Sequence, residues 1–311
     1  MRKTLAVLAF ACFLLTTGLR ADTVVTVSFL GNMLPANETP PTNINSSATA
    51  IIQVHEVLDS TTGALKSGSV EFTVIYKFPA ANTVTGLHIH NAAAGLPGNI
   101  VLPTDINGTT NSVAVDATGA GTINKQVQFG TAAGQPALSV ITDMLANPAN
   151  YYVNIHTTDF PGGAMRSHLL PATKTVLMAQ MSPANEVPPI TNSKASAIAS
   201  VRVLRALDSG GTLLAGVVTF DANYTGFLDP TTLTGFHIHG PIGPAGINAG
   251  VVINTGIGGG AASVPTGPGG AGNLHYDVIV APSNANQVAV INGLFTNPTA
   301  CCYINIHNTV N

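Results

Sequence analysis

The chain has 311 residues, with 11 Lys+Arg against 14 Asp+Glu and a formal net charge of −3. Only 8% of residues are charged, against about 25% in an ordinary soluble domain, and no basic stripe is present, which excludes a nucleic-acid-binding surface. With 45% of residues apolar and no long charge blocks, a disordered chain is excluded too.

Residues 1–21 read as an export signal. Arg2 and Lys3 make a short positive start, residues 5–15 form an apolar run, and Leu19-Arg20-Ala21 offers a cleavage site. The run is too short to span a bilayer, which takes about 20 apolar residues, and no later stretch is long enough. The expected location is therefore secreted or periplasmic. Cleavage would remove Arg2, Lys3, Arg20 and Cys12 but no acid, leaving 8 cations against 14 acids, a net charge of −6. Of the three cysteines only Cys301 and Cys302 would remain, too few for a disulfide framework, and they read as small apolar residues before the last strand.

Strand signals follow. Residues 24–30 and 48–58 read as strands. In residues 70–78, Val70, Phe72, Val74, Tyr76 and Phe78 alternate with Glu71, Thr73, Ile75 and Lys77, the period-2 pattern of a strand with one buried face. Residues 123–129 and 152–156 complete the set. One helix is expected where Leu138, Ile141 and Leu145 precede Asn147-Pro148, the proline ending it. Pro161-Gly162-Gly163 leads into a closing strand over residues 164–169.

The same order then recurs. Pro35-Ala36-Asn37-Glu38 returns as Pro183-Ala184-Asn185-Glu186. Gly86-Leu87-His88-Ile89-His90 returns as Gly235-Phe236-His237-Ile238-His239. Tyr152-Val153-Asn154-Ile155-His156 returns as Tyr303-Ile304-Asn305-Ile306-His307. Near-constant spacing of three landmarks means two copies of one domain, placed at 22–171 and 172–311 with no room for a flexible linker. In the second copy Val218, Phe220, Ala222 and Tyr224 are expected inward and Thr219, Asp221, Asn223 and Thr225 outward. Its helix is marked by Val288, Ile291 and Phe295 before Asn297-Pro298. It stops without a closing strand, so an exposed sheet edge is expected there. Many short strands between turn signals predict an all-β fold of two antiparallel Greek-key β-sandwiches, each with one short helix.

In a strand, residues i and i+2 share a face. His88 and His90 therefore project side by side, and His156 adds a third imidazole from another strand; His237, His239 and His307 repeat the set. Three imidazoles suit Cu or Zn with an open fourth position. The other reading is a hydrogen-bonded structural network. His55, His168 and His275 lack a partner in the other copy and are expected at the surface. Glu38 and Glu186 sit in Pro- and Asn-rich turns, where a carboxylate is expected to be solvated or to cap amides, with a place behind a metal as the lesser alternative. Residues 256–272 are Gly-rich without a phosphate-loop Lys-Ser/Thr and read as a long loop. Asn37, Asn45, Asn107 and Asn223 open glycosylation triplets that matter only in a glycosylating host. No nucleophile–base arrangement stands out.

Taken together, Pro-Ala-Asn-Glu-x-Pro-Pro, Gly-x-His-Ile-His, Tyr-x-Asn-Ile-His and Pro-Gly-Gly-x-x-Arg resemble the CHRD domain, a module named from chordin. Ala164 and Ser167 depart from that family's usual ending, and the second copy lacks the ending. The resemblance implies a secreted β-sandwich module in two tandem copies. It implies no settled activity, and growth-factor antagonism does not carry over. Residues 235–240 also resemble the first copper-ligand strand of copper/zinc superoxide dismutase. No histidine lies between His90 and His156, however, and only His275 lies between His239 and His307, so that enzyme's dinuclear centre cannot be built. The leading expectation is a non-enzymatic extracytoplasmic binding or structural module for an unknown extracellular protein or surface ligand. The alternative is a metalloprotein holding one Cu or Zn per domain, with redox activity as one use of it.

Overall fold

The computed structural model describes residues 21–108, 110–229, 231–241, 248–258 and 263–310; the signal expected over residues 1–21 lies, but for Ala21, outside them. The first half contributes β1 (Thr23–Met33), β2 (Ser47–Leu58), β3 (Leu65–Lys77), β4 (Asn82–Asn91), β5 (Asn99–Asn107), β6 (Val113–Val115), β7 (Ala120–Phe129), helix α1 (Leu138–Ala146), β8 (Tyr151–Thr157) and β9 (Met165–His168). The second contributes β10 (Leu170–Met181), β11 (Ser196–Leu207), β12 (Leu213–Thr225), β13 (Thr232–His239), β14 (Val251–Asn254), β15 (Val264–Pro265), β16 (Gly272–Val280), helix α2 (Ala285–Thr296), the short α3 (Pro298–Cys301) and β17 (Tyr303–Asn308).

Each half is an antiparallel sandwich with the predicted crossovers. In the first, β1, β2, β3 and β7 make one sheet, and β5, β4, β8 and β9 make the other, with β6 also on β4. The chain crosses from β3 to β4 and returns at β7 beside β3. The alternation read from the sequence buries Val70, Phe72, Val74 and Tyr76 between the sheets, against Leu87, Ile89, Val153 and Ile155. The second half repeats this with β10, β11, β12 and β16 against β13, β14, β15 and β17. Both helices end before their Asn-Pro, as predicted. Ile141 and Met144 face the first core, and Val290, Ile291 and Leu294 the second, while Leu138, Leu145, Val288 and Phe295 pack at its margin.

The two first sheets are joined into a single eight-stranded sheet by pairing of β1 with β10 at Ser28–Ala172, Phe29–Pro171 and Leu30–Leu170. This sheet turns back on itself. Its outer-facing Leu30 and Ile51 meet Leu204, Ala206, Ala215 and Val217 of the other half in a third apolar cluster. Ile75, expected on the open face of its strand, packs against this cluster too. Thr219, expected outward, is 1% exposed, donates to Asp277 Oδ1 at 2.6 Å and accepts from Arg202 at 3.3 Å.

Three further expectations change. Cys301 and Cys302 are joined in a disulfide rather than standing as free apolar residues. The Gly-rich stretch 256–272 is not all loop: β15 pairs with β13, and β16 starts at Gly272. His168 and His55 are half-buried rather than surface residues, bonding Ala92 O and Thr26 Oγ1, while His275 stays exposed beside Asp221. Among the described residues β17 pairs with β13.

Candidate metal centres

Sheet register builds the site. Strand β4 pairs with β8 so that Gly86 faces His156, His88 faces Asn154 and His90 faces Tyr152. All six point to the outer face of their sheet, because Leu87, Ile89, Val153 and Ile155 between them are fully buried in the core. His90 lies one row from the His88–Asn154 row in one direction and His156 one row in the other, and their rings lean together over it. Ring centroids are 4.7 Å apart for His88–His156, 5.1 Å for His88–His90 and 6.0 Å for His90–His156.

The second copy reproduces this arrangement. Gly235 faces His307, His237 faces Asn305 and His239 faces Tyr303. The centroids stand 4.7, 4.9 and 6.3 Å apart. In each copy the three histidines offer one ligand nitrogen apiece, all within 4.8 Å of one another. Nitrogens about 2.0–2.1 Å from a common ion lie roughly 3.3 Å apart, so small side-chain rotations close the set.

The rings are held from behind. His90 Nδ1 bonds Gly98 O at 2.9 Å, His156 Nδ1 bonds Pro161 O at 2.9 Å and His239 Nδ1 bonds Ala249 O at 2.7 Å. A carbonyl acceptor places the proton on Nδ1 and leaves Nε2 as a lone-pair donor. The buried Nε2 atoms of His156, His237 and His239 have no partner. Tyr152 stacks on His90 at 4.8 Å and 6°, and Tyr303 on His239 at 4.6 Å and 9°. Burial and the neighbouring imidazoles push His88 down to about 3 and His237 to about 4, and burial first of all lowers His90, His156 and His307 as well. These histidines are neutral at pH 7, the form that ligates metal.

Gly86 and Gly235 make room for the neighbouring histidine rings, a role the sequence reading missed. A Cβ on Gly86 would stand 2.8 Å from His88 Nε2, and one on Gly235 2.8 Å from His237 Cε1. The missing side chain is the space into which the first histidine of each pair folds. Its position two residues before that histidine, on the same face, was the available signal.

Glu38 departs from expectation. It is 6% exposed, not solvated, and its carboxylate lies 4.0 Å from the Arg166 guanidinium. Burial raises it to about 7, against the pull of Arg166 and of a hydrogen bond from Asn154. Arg166, 2% exposed on β9, donates Nε to Asn37 O at 2.6 Å and Nη1 to Leu96 O at 3.2 Å, bonds Thr39 Oγ1, and lies over the Tyr152 ring. The upstream turn is thus clamped over the histidine face. In the second copy Glu186 is half-buried and accepts from Asn305 Nδ2 at 3.3 Å.

The chain belongs to the CHRD domain family, whose model matches residues 29–169 and 177–311. No curated protein and no solved structure matches it. No helix among the described residues is long and apolar enough to cross a membrane.

Proposed function

We propose that each CHRD domain of this protein is a mononuclear metal-binding module, holding Cu or Zn through His88, His90 and His156 in one copy and His237, His239 and His307 in the other. One observation carries the reading. In both copies three imidazoles from two strands converge, with ligand nitrogens within 4.8 Å of one another, two of them in the first copy oriented by backbone carbonyls as metal-bound histidines ordinarily are. The module acts outside the cytoplasm, periplasmic or secreted. Support for this comes from the positive and apolar start of the sequence and from family membership. It is non-enzymatic, serving as a carrier or docking module for an extracellular partner, since no nucleophile or acid–base pair accompanies the histidines.

A second reading rests on the 3.1 Å contact of His88 Nδ1 with His90 Nε2, which in the absence of an ion is a hydrogen bond and makes the cluster a structural network. Elemental analysis of the mature protein, purified without chelator or histidine tag, separates the two. About one ion per intact centre, lost in His88→Ala and His237→Ala variants that keep their circular dichroism, supports the metal reading. A protein that stays empty on titration with Cu(II) and Zn(II), and is destabilised by the same substitutions, overturns it.

A further inference from the structure

The three imidazoles leave one side of each centre to a residue that is not a histidine. Because His90 and His156 lean together over the His88 row, the side chain directly across that row stands beside the point of convergence. That residue is Asn154 in the first copy and Asn305 in the second. Cross-strand partners have their Cβ atoms about 4.5–5.5 Å apart, within reach of one ion between them.

Asn154 is 2% exposed. Its amide bonds the Glu38 carboxyl, and its Oδ1 is buried without any partner. A buried amide oxygen left unpaired is costly; this one belongs to the residue directly across from His88, two positions from His156, which also carries an unpaired buried Nε2. In the second copy Asn305, 9% exposed, donates Nδ2 to Glu186 Oε2 at 3.3 Å. That bond turns the Nδ2 end of the amide to the carboxylate and leaves the oxygen end free of it. The pairing explains why the Asn-Glu turn, the His-Ile-His strand and the Asn-Ile-His strand recur together: they are parts of one centre.

We infer that Asn154 and Asn305 are the fourth, oxygen-bearing arm of the two metal centres, each aimed by the glutamate of the upstream turn. The inference rests on the three-histidine reading above and deepens it to the kind of ion. An amide oxygen beside three nitrogens suits a divalent ion, Cu(II) or Zn(II), and adds little for soft Cu(I). These centres therefore favour the divalent state by a margin that the asparagine sets.

The test uses the full chain with His237→Ala and His239→Ala, leaving only the first centre. Affinities for Cu(II), Zn(II) and Cu(I) are measured by chelator competition, before and after Asn154→Leu, which keeps the volume and removes the oxygen. The expected result is at least about a tenfold loss for Cu(II) and Zn(II), with Cu(I) within about threefold and with Asn154→Asp restoring the divalent ions. Unchanged divalent affinity, or an equal loss for Cu(I), overturns the inference. Should burial of Glu38 without its amide prevent folding, Asn305→Leu in a chain carrying His88→Ala and His90→Ala asks the same question beside the half-buried Glu186. A parent chain that takes up no ion at all sinks the three-histidine reading itself, which is a different failure from a parent that binds and a variant that binds equally well.

Discussion

Replacing Gly86 by Ala separates the histidine centre from the fold that carries it. Gly86 lies in β4 and is not among the glycines with positive φ, so its backbone accepts a side chain without strain. The new Cβ would stand 2.8 Å from His88 Nε2 and 3.3 Å from the His156 Cβ, where ordinary contact starts at 3.4 Å. The imidazole must retreat by about 0.6 Å, three times the roughly 0.2 Å tolerance of a metal–ligand distance. The backbone of the strand need not move, since the obstructing atom is the end of a side chain. The expected loss is about 10- to 100-fold in affinity for a divalent ion, or about 1.4–2.7 kcal/mol, with thermal unfolding of the metal-free protein changed by less than about 1 kcal/mol. Chelator competition in the chain with a single intact centre measures the first and scanning calorimetry the second. Undiminished affinity would refute the claim that the glycine makes room for the ligand. A collapse of stability would instead show that Gly86 serves the sandwich.

Two further outcomes are expected. Arg166→Met lets the buried Glu38 carboxyl take up a proton and strips the hydrogen bonds to Asn37 O and Leu96 O, and should cost about 1–3 kcal/mol in urea unfolding; Glu38→Gln added to it should change little further, and strict additivity would show that the 4.0 Å pair is not coupled. Metal-free protein should lose stability as pH falls from about 6.5, where unfolded histidines start to protonate, towards the folded values of about 4 for His237 and about 3 for His88. Bound metal should protect it, because the bound form keeps the imidazoles neutral. Glu38, raised to about 7, acts in the opposite sense and withdraws stability as pH climbs through that value. Unfolding midpoints that do not change between pH 7 and 4, in wild type and in His88→Ala alike, would remove the histidines from this account.

The sandwich was legible because period-2 alternation is imposed by burial. Val70, Phe72, Val74 and Tyr76 had to face a core, and Asn147-Pro148 had to end a helix. The histidine sets were legible because His88 and His90 share a face by geometry alone. What escaped depended on contacts between strands far apart in sequence. Nothing local to Thr219 says that Arg202 and Asp277 of the neighbouring strands will bond it in a buried position, and nothing local to Glu38 says that Arg166, 128 residues on, will lie beside it. Register was the other hidden quantity: that Asn154 stands opposite His88, and Gly86 opposite His156, follows from how β4 and β8 pair.

Strand β4 keeps its two duties on opposite sides. Leu87 and Ile89 hold the sandwich together on one face, while Gly86, His88 and His90 line the other. An ion held there would lie outside the sandwich core, beneath the upstream turn, and not as a keystone of the interior. On the three-histidine reading, filling or emptying the centre need not disturb the core, and the chain stays folded in either state.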